Sequence, residues 1–153
     1  MQIHVEVNGR TQTFEAMPGE SLLSLLRREG YLSVKRGCEE GDCGACTILL
    51  DGRSVRACLL LAAQAEGRRI TTVEGLGSIE RPHPLQQAFV DAGAVQCGFC
   101  TPGMILSAKA LLDETPRPDE GQVREALDGN LCRCTGYKKI IEAVLLAAQR
   151  MKP

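Results

Sequence analysis

The chain has 153 residues, a formal net charge of −1 and 44% apolar residues, so it can bury a core and does not read as disordered. With 3% aromatic residues and no Lys/Arg run longer than two, it does not read as a nucleic-acid surface. The start, MQIHVEVNGR, lacks both regions of a signal peptide, and the most apolar stretch, Cys58 to Ala65, is too short to span a bilayer. A soluble, cytoplasmic protein is expected.

Ile3, Val5 and Val7 alternate with polar residues up to Asn8-Gly9, and Thr11, Thr13 and Phe14 return, which predicts a β-hairpin. Pro18-Gly19 breaks the chain before a helix with Ser21 as N-cap, Leu22, Leu23, Leu25 and Leu26 as its apolar face, and Gly30 as its stop. Residues 37–46, GCEEGDCGAC, have no period and hold Gly37, Gly41 and Gly44, a loop shaped around something. Ile48, Leu49 and Leu50 run into Asp51-Gly52, a second hairpin turn, with Val55 on the return. Leu59 to Ala65 reads as a short helix and Ile70 to Val73 as a closing strand.

Composition then shifts. The segment GLGSIERPHP, residues 75–84, has a linker signature. Beyond it four helices are expected. The first covers Leu85 to Ala92, and the second has Thr101 as N-cap and Pro102 at its first position. The third opens on Asp119 with Gln122 and ends near Gly129, and the last runs from about Tyr137 to Arg150. The fold class is therefore α+β, with residues 1–76 as one domain, 77–83 as linker and 84–153 as a helical domain.

The domain cut divides eight cysteines evenly. Cytosolic cysteines at short spacing bind metal more often than they form disulfides. Cys38, Cys43 and Cys46 have the C-x4-C-x2-C spacing of plant-type ferredoxins, and Cys58 is the fourth thiol; the glycine-rich C-x4-C favours a 2Fe–2S cluster over zinc. An anionic cluster needs inward-pointing N–H groups, which Gly37, Gly41 and Gly44 let the backbone supply. Glu39, Glu40 and Asp42 read as a solvated loop face.

The second quartet is Cys97, Cys100, Cys132 and Cys134. Each pair sits before an expected helix, at Thr101 and Thr135, where free N–H groups suit thiolates. Here spacing alone leaves iron–sulfur and zinc both open.

GCEEGDCGACT (37–47), QCGFCTPGM (96–104) and GNLCRCTGY (129–137) resemble, in order and across essentially the whole chain, the small iron–sulfur subunit of molybdenum hydroxylases, the xanthine dehydrogenase / aldehyde oxidoreductase / carbon monoxide dehydrogenase family. The resemblance implies an N-terminal β-grasp, ferredoxin-like domain and a C-terminal four-helix domain, each with one 2Fe–2S cluster. It implies a large partner subunit carrying a molybdenum–pterin cofactor and a medium one carrying FAD, in a heterotrimer or a dimer of heterotrimers. Gln96 and Cys134 fall where the family contacts the pterin. Electrons would pass singly from molybdenum through the helical-domain cluster and the β-grasp cluster to FAD and an acceptor such as NAD+. No catalytic residue is expected on this chain.

LSVKRGC (32–38), CLLLAAQAEG (58–67) and TVEG (72–75) are most similar to purine (xanthine) dehydrogenase small subunits. Nicotinate, aldehyde, CO and hydroxybenzoyl-CoA oxidoreductases remain alternatives. A free-standing two-cluster ferredoxin and a zinc-stapled adaptor are the competing classes. His4 reads as an exposed strand residue and His83 as a turn or helix-start residue. Arg133 either offsets cluster charge or faces a neighbouring subunit; Tyr137 and Lys138 read as an ordinary first helical turn.

Overall fold

The computed structural model describes residues 1–151. Strand β1 (Gln2–Val7) buries Ile3, Val5 and Val7 on one face and pairs antiparallel with β2 (Arg10–Glu15). Between them Asn8 and Gly9 both take positive φ, 52° and 77°, as a right-twisted two-residue hairpin requires. Asp51 and Gly52 repeat the device, at 50° and 84°, between β3 (Thr47–Leu50) and β4 (Arg53–Arg56). Strand β5 (Arg69–Thr71) then slots between the two hairpins, parallel to β1 and antiparallel to β3, giving the order β2-β1-β5-β3-β4.

Helix α1 (Leu22–Arg28) packs on the core of this sheet. Ser21 caps it, its hydroxyl accepting from the Ser24 N–H at 3.2 Å. At seven residues the helix cannot persist alone in water. Its four buried leucines, each contributing about 1.5–3 kcal/mol, hold it in place. This is the expected β-grasp.

Two local expectations are corrected. Residues 59–65 do not form one helix; Ala57–Leu59 and Ala62–Ala65 are separate 3₁₀ turns, with extended Leu60 and Leu61 between them. The Leu60 carbonyl accepts from Leu22 N–H and the Ala62 N–H donates to the Glu20 carbonyl, so the start of α1 pulls this segment straight. The last strand stops at Thr71 rather than Val73, because the Asn8 side-chain oxygen takes the Thr72 N–H at 2.9 Å.

A second core lies among α2 (Pro84–Asp91), α3 (Thr101–Glu114), α4 (Glu120–Leu127) and α5 (Lys138–Arg150), built on Leu85, Phe89, Met104, Val123, Ile140 and Val144. His83 does start a helix: its Nδ1 accepts from Leu85 N–H at 3.1 Å while its own N–H donates to Gln86. Asp119 and Gln122 form the expected reciprocal cap of α4. Two boundaries differ. Cys100, not Thr101, is the N-cap of α3, without a side-chain bond. Helix α5 begins at Lys138, because Tyr137 sits at φ 69°, outside helical geometry. Cys132 and Cys134 therefore lie in a loop ahead of the helix rather than on its first turn.

Helix α3 lies against β3 and β4, which brings the two cysteine-bearing regions to one seam. Among the described residues no helix is long and apolar enough to cross a membrane.

Candidate metal centre

The first quartet is organised by its loop. The Cys38 sulfur accepts from the N–H groups of Glu40 and Cys43, each at 3.4 Å, and the Cys43 sulfur from those of Cys38 and Ala45. These donors pull the Cys38 thiol down to about 7, from the Cys43 N–H first and then that of Glu40. Burial, together with the facing Cys46 thiol, pushes Cys58 up to about 11. Gly37 lets the loop close: a Cβ there would stand 2.6 Å from the Cys43 sulfur. Glu39, Glu40 and Asp42 are exposed, as a solvated loop face should be, with Glu39 paired to Arg36.

The second quartet draws on two segments. Cys100 stands against Cys132 and Cys97 against Cys134. Burial and the Cys132 neighbour push Cys100 up to about 12. Burial also acts to raise Cys132, but the Thr135 hydroxyl, donating to its sulfur at 3.1 Å, and nearby backbone N–H groups outweigh it and hold the thiol below its ordinary value. The Cys97 side chain raises Cys134. Cys97 and Cys134 are exposed, whereas Cys46 of the first quartet is buried. Gln96 and Arg133, next to Cys97 and Cys134 in the chain, are exposed, as are the apolar side chains of Val95, Phe99 and Leu131.

In both quartets the thiols pair two and two: Cys38 with Cys43, Cys46 with Cys58, Cys100 with Cys132, Cys97 with Cys134. Within each quartet the pairs adjoin, since Cys58 also meets the field of Cys38, and Cys134 that of Cys132. Among the described residues no group of three or more His, Cys, Asp or Glu is arranged to hold one metal ion. Two adjoining thiol pairs ringed by backbone N–H donors are the donor set of a binuclear iron–sulfide cluster. The residues fit that group.

Between the quartets lies a seam that sequence patterning did not reveal. The Leu131 N–H donates to the Cys43 carbonyl at 2.9 Å. Asn130, 2% exposed, donates from its side-chain nitrogen to the Gly44 carbonyl (3.1 Å) and Thr47 Oγ1 (3.3 Å), and accepts from the Ser107 hydroxyl (2.7 Å). Arg56 reaches across to the Gly129 carbonyl at 2.5 Å and to Thr47 Oγ1 at 3.0 Å. The backbones touch here. A Cβ on Gly44 would collide with the Gly129 carbonyl and stand 2.9 Å from Asn130 Cα; one on Gly103 would stand 2.5 Å from the Gly44 carbonyl. Tyr137 is more than a first helical turn: its phenolic oxygen accepts from the Cys132 N–H at 2.9 Å.

Two family models match consecutive parts of the chain: a 2Fe-2S iron-sulfur cluster binding domain over residues 5–73 and a 2Fe-2S binding domain over residues 72–145. The nicotinate dehydrogenase small FeS subunit of Eubacterium barkeri is 51% identical, over 97% of this chain and 95% of that protein. The xanthine dehydrogenase iron-sulfur-binding subunit of Escherichia coli O157:H7 is 49% identical, over 94% and 91%. The chain belongs to the iron–sulfur subunits of the molybdenum hydroxylase family. The crystal structure of quinoline 2-oxidoreductase from Pseudomonas putida 86 contains a chain that superposes with a TM-score of 0.93 at 47% identity, covering 98% of this chain and 96% of that one. The protein is thus an oxidoreductase subunit with two 2Fe–2S domains. Relatives named for nicotinate and for xanthine stand at similar identity, so similarity does not single out a purine substrate.

Proposed function

We propose that Cys38, Cys43, Cys46 and Cys58 hold one 2Fe–2S cluster and Cys97, Cys100, Cys132 and Cys134 the other. On this reading the chain carries single electrons from a molybdenum–pterin centre on a large partner subunit to FAD on a medium one. The observation that carries the proposal is the arrangement of two paired thiol quartets on either side of one hydrogen-bonded seam. When bound, each cluster supplies a site that gains or loses one electron.

The residues of the chain give that chemistry a direction. The second quartet reaches the surface at Cys97 and Cys134, flanked by Gln96 and by exposed Val95, Phe99 and Leu131. An apolar rim around an open sulfur pair is a surface for a partner that brings its own cofactor close. Gln96 and Cys134 are the residues we assign to the pterin. Cys46 and Cys58 sit against the β-grasp core, and the loop bearing Cys38 is ringed by exposed carboxylates on the other side of the seam. Electrons enter at the helical domain and leave by the β-grasp domain. The substrate is a purine or another N-heterocycle bound by the large subunit, the final acceptor is NAD+ or a similar carrier, and the assembly, a heterotrimer or a dimer of heterotrimers, is cytoplasmic.

The test is the composition of the purified protein. We expect a red-brown chain with about four iron and about four sulfide, two distinct EPR signals on reduction, and co-purifying chains that bring molybdenum and flavin. A colourless protein holding zinc would overturn the cluster assignment. A stable chain with both clusters and no molybdenum-containing partner would overturn the subunit role.

A further inference from the structure

Among the described residues Asn130 is one of four buried polar ones, and every polar atom of its side chain bonds across or into the seam. Its nitrogen is tied to the loop of the first quartet, at Gly44, the residue after Cys43. Its oxygen is tied to Ser107 on α3. The next residue, Leu131, donates its N–H to the Cys43 carbonyl, and the one after is Cys132. Among the described hydrogen bonds across the seam, this is the one that links the two quartets most directly. It runs from Cys132 through one peptide unit to Leu131 N–H, across to the Cys43 carbonyl, and into the Cys43 side chain.

Resting on the cluster reading above, we propose that Asn130 is a positioning residue for electron transfer between the two cluster sites. It holds the Leu131 N–H on the Cys43 carbonyl, and so keeps the most direct bonded route between the quartets closed. In the transfer one electron leaves the helical-domain site, which is oxidised, and enters the β-grasp site, which is reduced; no covalent bond breaks and no proton moves. The chemistry suits the position. A buried side-chain amide with two donors and an acceptor, all satisfied, fixes two loops without bringing a charge that would shift either site. The neighbouring contacts lack that property, because Arg56 carries a charge and Thr47 meets the second loop only as the acceptor of Asn130 itself.

The test compares wild-type holoprotein with Asn130→Ala and with Ser107→Ala, which removes only the bond that orients the amide. Iron and sulfide content establish that both clusters are present. The readouts are the magnetic splitting between the two reduced clusters in EPR and the rate at which reduction passes from one cluster to the other after a rapid electron pulse. We expect Asn130→Ala to lose most of the splitting and to slow the transfer several-fold, with Ser107→Ala moving both the same way by less. Should Asn130→Ala fail to retain both clusters, Ser107→Ala decides by the same two readouts. Unchanged splitting and rate in a variant that carries both clusters would overturn the proposal, even if its melting temperature falls, since a purely structural residue would move only the latter. Wild-type protein without iron and sulfide would instead overturn the functional reading itself.

Discussion

The phenolic oxygen of Tyr137 accepts a hydrogen bond from the backbone N–H of Cys132, five residues earlier, at 2.9 Å. The ring also packs on the helical core, so one side chain ties the loop bearing Cys132 to the base of α5. Tyr137→Phe keeps the packing and removes the acceptor. A half-buried N–H left without a partner costs about 1–3 kcal/mol. We expect a lower melting temperature and faster loss of the helical-domain cluster under chelator, with the β-grasp spectrum unchanged. Equal chelation rates for both proteins would contradict this role.

Of the seam's glycines, Gly44 is the one where an added Cβ would meet main chain most closely. Its φ of 71° alone would cost an alanine about 1–2 kcal/mol. Gly9, at φ 77° with open space around it, is the matched control. Gly9→Ala should lose only that strain. Gly44→Ala should lose clearly more, because its Cβ collides with main chain, at Gly129 and Asn130, which cannot swing aside. Denaturant midpoints of the two variants measure the difference, and equal losses would show that the seam can open without penalty.

His83 makes helix α2 pH-sensitive. Its imidazole is held below its ordinary value, by burial first and by Lys109 second, with Asp113 opposing. Only the neutral ring can accept the Leu85 N–H. Because the folded value lies below the unfolded 6.5, the unfolded chain binds the proton first as pH falls. The cap is therefore fully effective above 6.5 and is lost as pH drops through the folded value. The loss is about 1 kcal/mol, as for other N-caps. Protection factors of the α2 amides, taken against the intrinsic exchange rate at each pH, should fall on acidification in wild type and far less in His83→Asn, which keeps a capping acceptor that does not titrate. The same acid response in both would rule out the imidazole as its source.

Cys134→Ser and Gln96→Ala separate holding a cluster from meeting the partner. Cys134→Ser should abolish the helical-domain EPR signal and turnover, leaving the β-grasp signal. Gln96→Ala should keep both signals but weaken assembly with the molybdenum-bearing chain or slow its oxidation. Unaltered turnover in Gln96→Ala would remove that residue from the proposed contact.

What the sequence made legible was whatever is decided locally. Asn8-Gly9 and Asp51-Gly52 predict their hairpins because few other residue pairs accept two positive φ angles in succession. Ser21 and Asp119 predict their helix starts because their side chains reach the free N–H groups three residues on. The cysteine spacings and the three long motifs made both quartets visible for the same reason. Long-range bonds broke the pattern elsewhere. Leu59 to Ala65 is apolar enough for a helix, but the Glu20 and Leu22 backbone claims its middle. Tyr137 has the profile of a first helical turn, yet its positive φ turns the chain so that its hydroxyl meets Cys132. Asn130, an isolated polar residue beside a glycine, has the local profile of a loop; only its partners at Gly44, Thr47 and Ser107, far away in sequence, give it meaning.

The glycines of the seam carry one more implication. Because Gly44 and Gly103 let main chain rest on main chain, the span between the two sulfur nests is set at the seam and not by side chains on the outer faces. Substitutions on the outer faces, away from these glycines and from Asn130, Ser107 and Arg56, do not enter it. The outer faces can thus diverge freely, to suit whichever companion the chain must join, without detuning what lies between them. Such a part can be reused across catalysts whose substrates differ widely. Relatives named for nicotinate and for xanthine, each about half identical to this chain over nearly its full length, are what that reuse would leave behind.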